Sequence, residues 1–344
     1  MGNTDKKTGR IGWIDCAKGI AICLVVIGHT VARTGDFCPD NLVRGVIFSF
    51  HMPLFFVFSG MTMKLSQSRE ELLKRMEKSA WKLLAPAVVL FLALRMYSLL
   101  LYGRGEGVSK HQYLADTINA LIYSSGVDVM NLQIPAIGGL WFLVALFFGR
   151  SIFDYLHFRL NNSTFVIVCI GLSIIGVGLG SIQWLPFSGD ISLAVLAFFL
   201  FGYWMRDLDI SRHSIRRAAA ALLIWASLLS VIFWVSRHYL EFATREYPLF
   251  PLPFFCAAAG VLLVSYFAYY LGEIPGLSEA LLFLGRNTMI IYCVHAADGV
   301  LSGIWLVSEN NFINAFLRLA VVLAVSCGII GGMTIIKRWR GRRV

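Results

Sequence analysis

The stretch "GWIDCAKGIAICLVVIGHTVA" covers residues 12–32 and decides the class of fold. It is a nearly continuous apolar run, long enough for one helix to cross the hydrocarbon core of a bilayer, which takes about 20 residues. Yet it carries Asp15, Lys18 and His29, and ionisable side chains are costly in hydrocarbon. The run therefore predicts a membrane-spanning helix whose polar residues have a partner or a function inside the protein.

The composition of the whole chain agrees with a membrane protein. Of its 344 residues, 58% are hydrophobic and 15% are charged, whereas soluble domains average about 45–50% and about 25%. The apolar runs are continuous rather than alternating, which favours helices over a β-barrel. We predict an all-α, polytopic helical bundle with about ten transmembrane helices, forming a single membrane domain over residues 1–344 with a short basic tail at about 337–344. The predicted spans are about 13–33, 42–64, 80–101, 137–158, 164–181, 191–206, 218–236, 252–271, 281–303 and 312–336.

Basic residues are unevenly distributed between the predicted spans. The net charge is +10, and most of the Lys and Arg side chains fall on one set of connections. The opposite set holds only Arg33, Arg44, Arg104, Lys110, Arg237 and Arg245. Because Lys and Arg are enriched in cytoplasmic loops, both termini are predicted to be cytoplasmic, in a multi-pass protein of the plasma or inner membrane. The bilayer thus accounts for the positive charge, and no nucleic-acid partner is expected.

Helical geometry relates the polar residues of the first span to one another. Lys18 and His29 lie within about 20° of one helix face and about 16 Å apart along the axis. Lys18 is therefore expected near the cytoplasmic boundary, and His29 in the outer half of the membrane. A purely structural interpretation of Lys18 is also possible: its side chain would snorkel to the interface and form a salt bridge with Asp15. His29 is too deep for that explanation.

Two later spans carry further histidines. The run "FHMPLFFVFSG", residues 50–60, contains His51 next to a proline-bent segment. In the ninth span, His295 and Asp298 are three residues apart, so a hydrogen bond between them would orient the imidazole. Arg95 and Arg318 are additional intramembrane charges. Together these side chains predict a polar cavity through the bundle, and their spacing matches no metal site.

Five motifs connect the chain to a known family. They are "IDCAKGIAICLVVIGHT", "FHMPLFFVFSG", "GGLWFLVALFFG", "FFLFGYWMR" and "LGRNTMIIYCVH", which occur in this order between residues 14 and 295. In this combination the chain resembles the type 3 membrane acyltransferase family, bacterial integral-membrane enzymes that O-acylate sugars of cell-surface glycans. By that resemblance His29 matches the essential histidine of the first span. Lys18 occupies the preceding basic position, which is usually Arg, and Lys lacks the bidentate fork that Arg offers a phosphate. Further motif residues are Ser59, Gly60, Trp141, Arg286, Tyr292 and His295.

The resemblance implies transfer of an acetyl group from cytosolic acetyl-CoA to a carbohydrate hydroxyl on the outer side. His29 is expected either to take the proton from the hydroxyl or to carry the acyl group as an acyl-imidazole. Lys18 and Arg286 are expected to hold CoA phosphates, with Arg95 as a further candidate for cofactor binding, and no metal is expected. The residues expected to orient the reacting groups are His51, His295 and Asp298.

Two other functions are compatible with the same residues. A polar path through the spans also suits a transporter of a small solute such as serine. Against it, the sequence has no obvious inverted repeat, and its basic residues suit phosphate better than a zwitterion. A structural or sensory role would leave three intramembrane histidines without a function.

Overall fold

A computed structural model of the protein describes residues 4–5, 10–31, 42–103, 107–126, 136–210 and 215–341. These residues are mostly helical, apart from a short antiparallel pair of strands, β1 (Thr4–Asp5) and β2 (Arg10–Ile11). The helices are α1 (Gly12–Val31), α2 (Leu42–Phe48), α3 (His51–Thr62), α4 (Arg69–Tyr102), α5 (Lys110–Tyr123), α6 (Trp141–Arg159), α7 (Asn162–Ile182), α8 (Gly189–Ala194), α9 (Leu196–Trp204), α10 (Ile215–Ser236), α11 (Leu252–Leu271), α12 (Leu277–Arg286), α13 (Thr288–Ala297), α14 (Ser302–Trp305) and α15 (Asn311–Gly341).

The predicted helical membrane bundle is confirmed. Within the described ranges, eight helical segments are long and apolar enough to cross a membrane, or up to ten if each of two bent pairs counts as one span. The bent pairs coincide with the sixth and ninth predicted spans. One bends by 43° between Pro186–Ala194 and Leu196–Asp207, and the other by 71° between Leu277–Arg286 and Thr288–Ala297. The cytoplasmic location of both termini stays a prediction.

The third span is longer than its apolar run. The i, i+4 pairs Glu70–Lys74 and Glu71–Arg75 predict a separate helix over residues 66–80 on the membrane surface, but the structure continues residues 69–80 into the span as part of the single helix α4. Ser68 caps its start, because its Oγ accepts a hydrogen bond from the Glu71 main-chain N–H at 3.2 Å. The Glu71 carboxylate in turn accepts from the Gln67 N–H at 3.0 Å. The cap fixes where the helix begins, and good helix formers carry it without interruption into the membrane.

Two other connections differ in detail from the sequence-based expectation. The interval of residues 102–136 between the third and fourth predicted spans predicts a long outer loop, and the structure places α5 in it, capped by Ser109 through the Gln112 N–H. In the second span, the helix breaks at residues 49–50, between α2 and α3. The break lies one turn before Pro53, which has no N–H to bond to the Ser49 carbonyl. Cys38 and the last three residues of the basic tail lie outside the described residues.

The chain folds into two compact units. Unit 1 comprises Met1–His51, Asp209–Phe233 and Ala259–Val344, and unit 2 comprises Met52–Leu208 and Trp234–Ala258. In unit 1, α1 packs against α2, α12, α13 and α15. In unit 2, α6 packs against α4, α7, α8 and α9. Because α1 is surrounded by helices of its own unit, its polar side chains face protein, which lowers the cost of placing them in a span.

Candidate active site

Three histidines of unit 1 form one cluster. The ring centroids of His29 on α1 and His295 on α13 are 5.4 Å apart, and those of His29 and His51 are 6.3 Å apart. His51 and His295 are buried, and His29 is partly exposed. The structure thus brings together three side chains that the sequence places in the first, second and ninth spans.

His51 is held at one edge of the cluster by the end of the preceding helix, α2. Its Nδ1 lies 3.0 Å from the Ile47 carbonyl oxygen. Because a carbonyl oxygen only accepts, Nδ1 carries the proton in this hydrogen bond, and the lone pair of the neutral ring is at Nε2. The Phe48 ring lies 4.5 Å from the His51 ring and 5.4 Å from the His29 ring, measured between centroids. The Arg44 guanidinium stacks over the other side of this group, 4.6 Å from the Phe48 centroid.

His295 is anchored by a buried ion pair. Its Nδ1 lies 3.4 Å from Asp298 Oδ2, as the spacing of three residues predicted. The Asp298 carboxylate is bound by both Nε and Nη2 of Arg318 on α15, the latter at 2.9 Å. Arg318 Nη2 is also 3.3 Å from His295 Nδ1, and Nη1 donates to Thr30 Oγ1 at 3.1 Å. Asp298 and Arg318 side chains are 2% and 3% exposed, so the carboxylate is paired out of contact with water.

A basic region lies at the other end of α1. Arg286, the last residue of α12, places its Nε 3.6 Å from Asp15 Oδ2. Lys18 is one turn further along α1 from Asp15 and is half-buried. Two glycines allow α1 and α12 to approach this closely, because a Cβ on Gly285 would overlap the Asp15 carbonyl and a Cβ on Gly19 would overlap the Leu281 carbonyl. The structure thus places two of the predicted cofactor-binding side chains on adjoining helices of one unit.

Of the remaining predicted site residues, Tyr292 lies in unit 1, and Arg95, Ser59, Gly60 and Trp141 lie in unit 2. Tyr292 is buried one turn before His295 on α13. Arg95 bonds to Thr117 Oγ1 at 3.2 Å and stacks over the Tyr113 ring at 4.3 Å, so α5 engages its guanidinium.

The second-span motif has structural contacts in unit 2. Ser59 Oγ accepts a hydrogen bond from Arg150 Nη1 at 3.0 Å. A Cβ at Gly60 would overlap the main chain of Phe199 on α9. Arg206, the last residue of "FFLFGYWMR", donates to the Gly60 carbonyl at 2.7 Å and to the Met63 carbonyl at 2.6 Å. These contacts explain part of the motif by helix packing and by capping of the end of α3. Trp141 begins α6, where its ring meets Phe142 edge-on.

Several polar residues at the site were not assigned from the sequence. Arg318 was noted as an intramembrane charge but given no role, because its partners Asp298 and Thr30 are 20 and 288 residues away. Arg44 was counted as an outer-loop charge, yet it is buried on α2. In unit 2, Arg245 was likewise counted as a loop charge and forms a buried pair with Asp190, at 2.8 Å. Each is a basic residue near the end of an apolar run. The apolar run alone does not indicate whether the side chain of such a residue points into the protein or into the loop.

The described residues contain no group of three or more His, Cys, Asp or Glu side chains placed to hold a metal ion. The cluster and its surroundings offer imidazoles, one paired carboxylate and two guanidinium groups. A neutral imidazole can accept a proton or act as a nucleophile.

Comparison with known proteins identifies a family. The model of a family described as "Acyltransferase domain" matches residues 11–338, which include both units and every predicted site residue. No curated protein and no solved structure matches the chain significantly.

Proposed function

This chain belongs to the type 3 acyltransferase family of membrane O-acyltransferases, and from that premise we propose that it transfers an acetyl group from cytosolic acetyl-CoA to a hydroxyl of an extracytoplasmic carbohydrate. The observation that carries the proposal is the cluster of His29, His51 and His295 inside a membrane-spanning unit. A hydroxyl must lose its proton as it attacks an acyl group, and histidine is the side chain that most often takes such a proton. The family match does not favour a transporter.

The basic region at the other end of α1 supports acetyl-CoA as the donor. Lys18 and Arg286 offer cations to phosphate groups, and Lys18 is about 16 Å from His29 along the helix axis. Acetyl-CoA carries its phosphates at one end and its thioester at the end of a long, flexible arm. A donor whose phosphates bind at Lys18 and Arg286 could therefore extend its thioester towards His29. Asp15 pairs with Arg286 at 3.6 Å, and a bound phosphate would compete with that carboxylate for the guanidinium.

Two routes of transfer fit the cluster. In the direct route His29 takes the proton of the acceptor hydroxyl while the hydroxyl oxygen attacks the thioester carbonyl. The C–S bond breaks, and the CoA thiolate is then protonated. In the relay route an imidazole nitrogen of His29 attacks the thioester first, CoA leaves, and the acceptor hydroxyl then displaces the imidazole. A second base is needed in the relay, and His51 is suited to this role because its Nδ1–H bond leaves the lone pair at Nε2.

The donor can be tested by calorimetry on the protein purified in detergent. We expect acetyl-CoA to bind, and Lys18→Ala to weaken the binding by about 10- to 100-fold, since a hydrogen bond to a charged group contributes about 1.5–3 kcal/mol. Lys74→Ala, at an exposed position on α4, is the control and should bind as the wild type does. Free CoA and serine are titrated in parallel. Saturable serine binding without any binding of CoA would replace the acyltransferase proposal with the transporter.

The histidine role can be tested by transfer of a radiolabelled acetyl group to a panel of oligosaccharides. His29→Ala is expected to lower transfer by about 10²-fold or more, while the variant still inserts, purifies and binds acetyl-CoA. His111→Ala removes an exposed histidine of α5 and should leave transfer unchanged. Normal transfer by His29→Ala would rule out both routes. Label trapped on the protein after mixing with acetyl-CoA alone would favour the relay.

A further inference from the structure

Arg318 joins four elements of unit 1 around the histidine cluster. Its Nε and Nη2 bind Asp298, which follows α13, and Nη2 also contacts His295 on α13. Its Nη1 donates to Thr30 on α1. The guanidinium stacks over Trp305 of α14, 4.8 Å from the ring centroid. We propose that Arg318 is a positioning residue for acyl transfer, which holds His295 at a fixed distance from His29.

The inference rests on the proposed function and follows from the geometry of the contacts. Nδ1 of His295 faces both Asp298 and Arg318, so these two side chains set the rotation of the ring. Thr30 is the residue after His29 on α1, so its bond to Arg318 ties the backbone that carries His29 to the same guanidinium. The 5.4 Å separation of the two imidazoles is thereby fixed from both sides.

A lysine could not replace these contacts. Arg presents its N–H donors in a rigid plane, and here three different nitrogens of that plane contact Asp298, His295 and Thr30. The lysine ammonium is a compact point charge on a flexible stem, so it would keep the charge near Asp298 and lose the fixed geometry. The other ionisable groups around this position are His29 on α1, His51 at the start of α3 and Arg44 on α2.

The protein contains a matched control for loss of a buried ion pair. In unit 2, Arg245 binds Asp190 through Nε at 2.8 Å, and both side chains are buried. Its guanidinium stacks over Trp184 at 3.9 Å and donates to the Ala243 carbonyl. The pair resembles Arg318–Asp298 in burial, charge and aromatic stacking, but its partners are not predicted site residues.

The test compares Arg318→Lys with Arg245→Lys in the full-length protein. Because a misplacement of about 1 Å in an active site can cost about 10²-fold in rate, we expect kcat for Arg318→Lys to fall by about 10²-fold. Its Kd for acetyl-CoA should stay within about twofold of the wild type, since the donor region lies at the other end of α1. Arg245→Lys should lower Tm and keep kcat. A wild-type kcat in Arg318→Lys, or an equal loss of kcat in both variants, would overturn the inference.

A milder variant guards against misfolding. Thr30→Val is nearly isosteric and removes one of the Arg318 contacts, so it should lower kcat several-fold without weakening acetyl-CoA binding; unchanged kcat counts against the inference. A second readout needs no activity. The ¹⁵N resonances of His295, assigned by comparison with His295→Gln, should shift in Arg318→Lys and not in Arg245→Lys. Unshifted resonances in Arg318→Lys would contradict the positioning role, and this holds whether or not the wild type transfers an acetyl group. Absence of transfer by the wild type is a separate outcome, and it would refute the proposed function.

Discussion

Each of the three clustered histidines has a different environment. His51, the first residue of α3, donates from Nδ1 to the Ile47 carbonyl at the end of α2. His295 contacts a carboxylate and a guanidinium through Nδ1. His29 lies between the two, with the Phe48 edge against its ring. The three imidazoles thus differ in their hydrogen-bond partners. Their roles can be separated by substitutions that imitate one ring nitrogen at a time.

For His51 we predict that Asn and Gln substitutions differ. The Asn side-chain amide reaches about as far as Nδ1, so His51→Asn can keep the bond to the Ile47 carbonyl and fold normally. It lacks a group at Nε2, so transfer should fall by about 10²-fold if that nitrogen acts as a base. His51→Gln loses the bond to the carbonyl and should lower Tm. The measurements are kcat and Tm for both variants, with His111→Asn as control. Wild-type transfer by His51→Asn would remove His51 from the mechanism.

The sequence identified the histidines of the site but not the side chains that hold them. Their identity follows from an energetic rule, because an ionisable residue inside an apolar run needs a partner or a role. The spacing of His295 and Asp298 is local, so their contact could be predicted. Arg318 could not be paired in the same way, because its contacts depend on how α1, α13 and α15 pack together.

At the scale of helices, the close contact of α1 with α12 shapes the basic region formed by Lys18 and Arg286. The glycines at 19 and 285 let the two backbones touch, and this brings Arg286 within 3.6 Å of Asp15. A side chain at either glycine would separate the helices. A substitution at either glycine should therefore lower stability and also displace Arg286 from Asp15.

We predict that Gly285→Ala destabilises the protein although it replaces glycine in a helix. The new Cβ would overlap the Asp15 carbonyl, and overpacking of this kind costs roughly 1–3 kcal/mol. The matched control is Gly331→Ala on α15, where a Cβ has open space and the better helix propensity of Ala contributes about 0.5–1 kcal/mol. Thermal unfolding should show a lower Tm for the first variant only. Equal Tm values would mean that α1 and α12 are not packed as closely as described.

Hydropathy predicted the spans better than it predicted where helices begin, end or bend. Each of the ten apolar runs corresponds to a single helix, to one of the two bent pairs or, in the second span, to α2 and α3 together, because the bilayer imposes one length on all of them. The extension of α4 before its span was assigned to a separate helix, since charged residues interrupt the hydropathy signal without interrupting the helix. The 71° bend at Asn287 falls where Arg286, Asn287 and Thr288 interrupt the apolar run, but a window of span length averages these three residues with the apolar ones on both sides.

For the molecule as a whole, the proposed function depends on the orientation of the chain in the membrane. A cytosolic donor and an outer acceptor require that the Lys18 end of α1 faces the cytoplasm. The distribution of Lys and Arg predicts this orientation. The connection at 272–280 has no Lys or Arg, so the sides of the short connections around Pro275 and Glu309 follow from the alternation of ten spans.

This orientation can be measured with single cysteines and a membrane-impermeant maleimide. In a background with Cys38 and Cys327 replaced by Ser, Glu309→Cys should be labelled in intact cells, because its loop is predicted to face outward. Pro275→Cys should react only after the membrane is permeabilised. Both positions are exposed on their connections, so labelling of each cysteine shows on which side of the membrane its connection lies. The reverse pattern would contradict the predicted topology and, with it, a cytosolic donor at Lys18.

The bond between Thr30 and Arg318 joins residues 288 positions apart, and this separation sets the order of events during biosynthesis. Ribosomes add about 5–20 residues per second, so α1 waits for roughly 15–60 s before the side chain that ties it to Asp298 is made. For most of that time Asp15, Lys18 and His29 lie in a helix whose neighbours α12, α13 and α15 have not yet been synthesised. Early insertion therefore relies on the apolar majority of α1, and the contacts around the histidine cluster are completed only when the final span arrives.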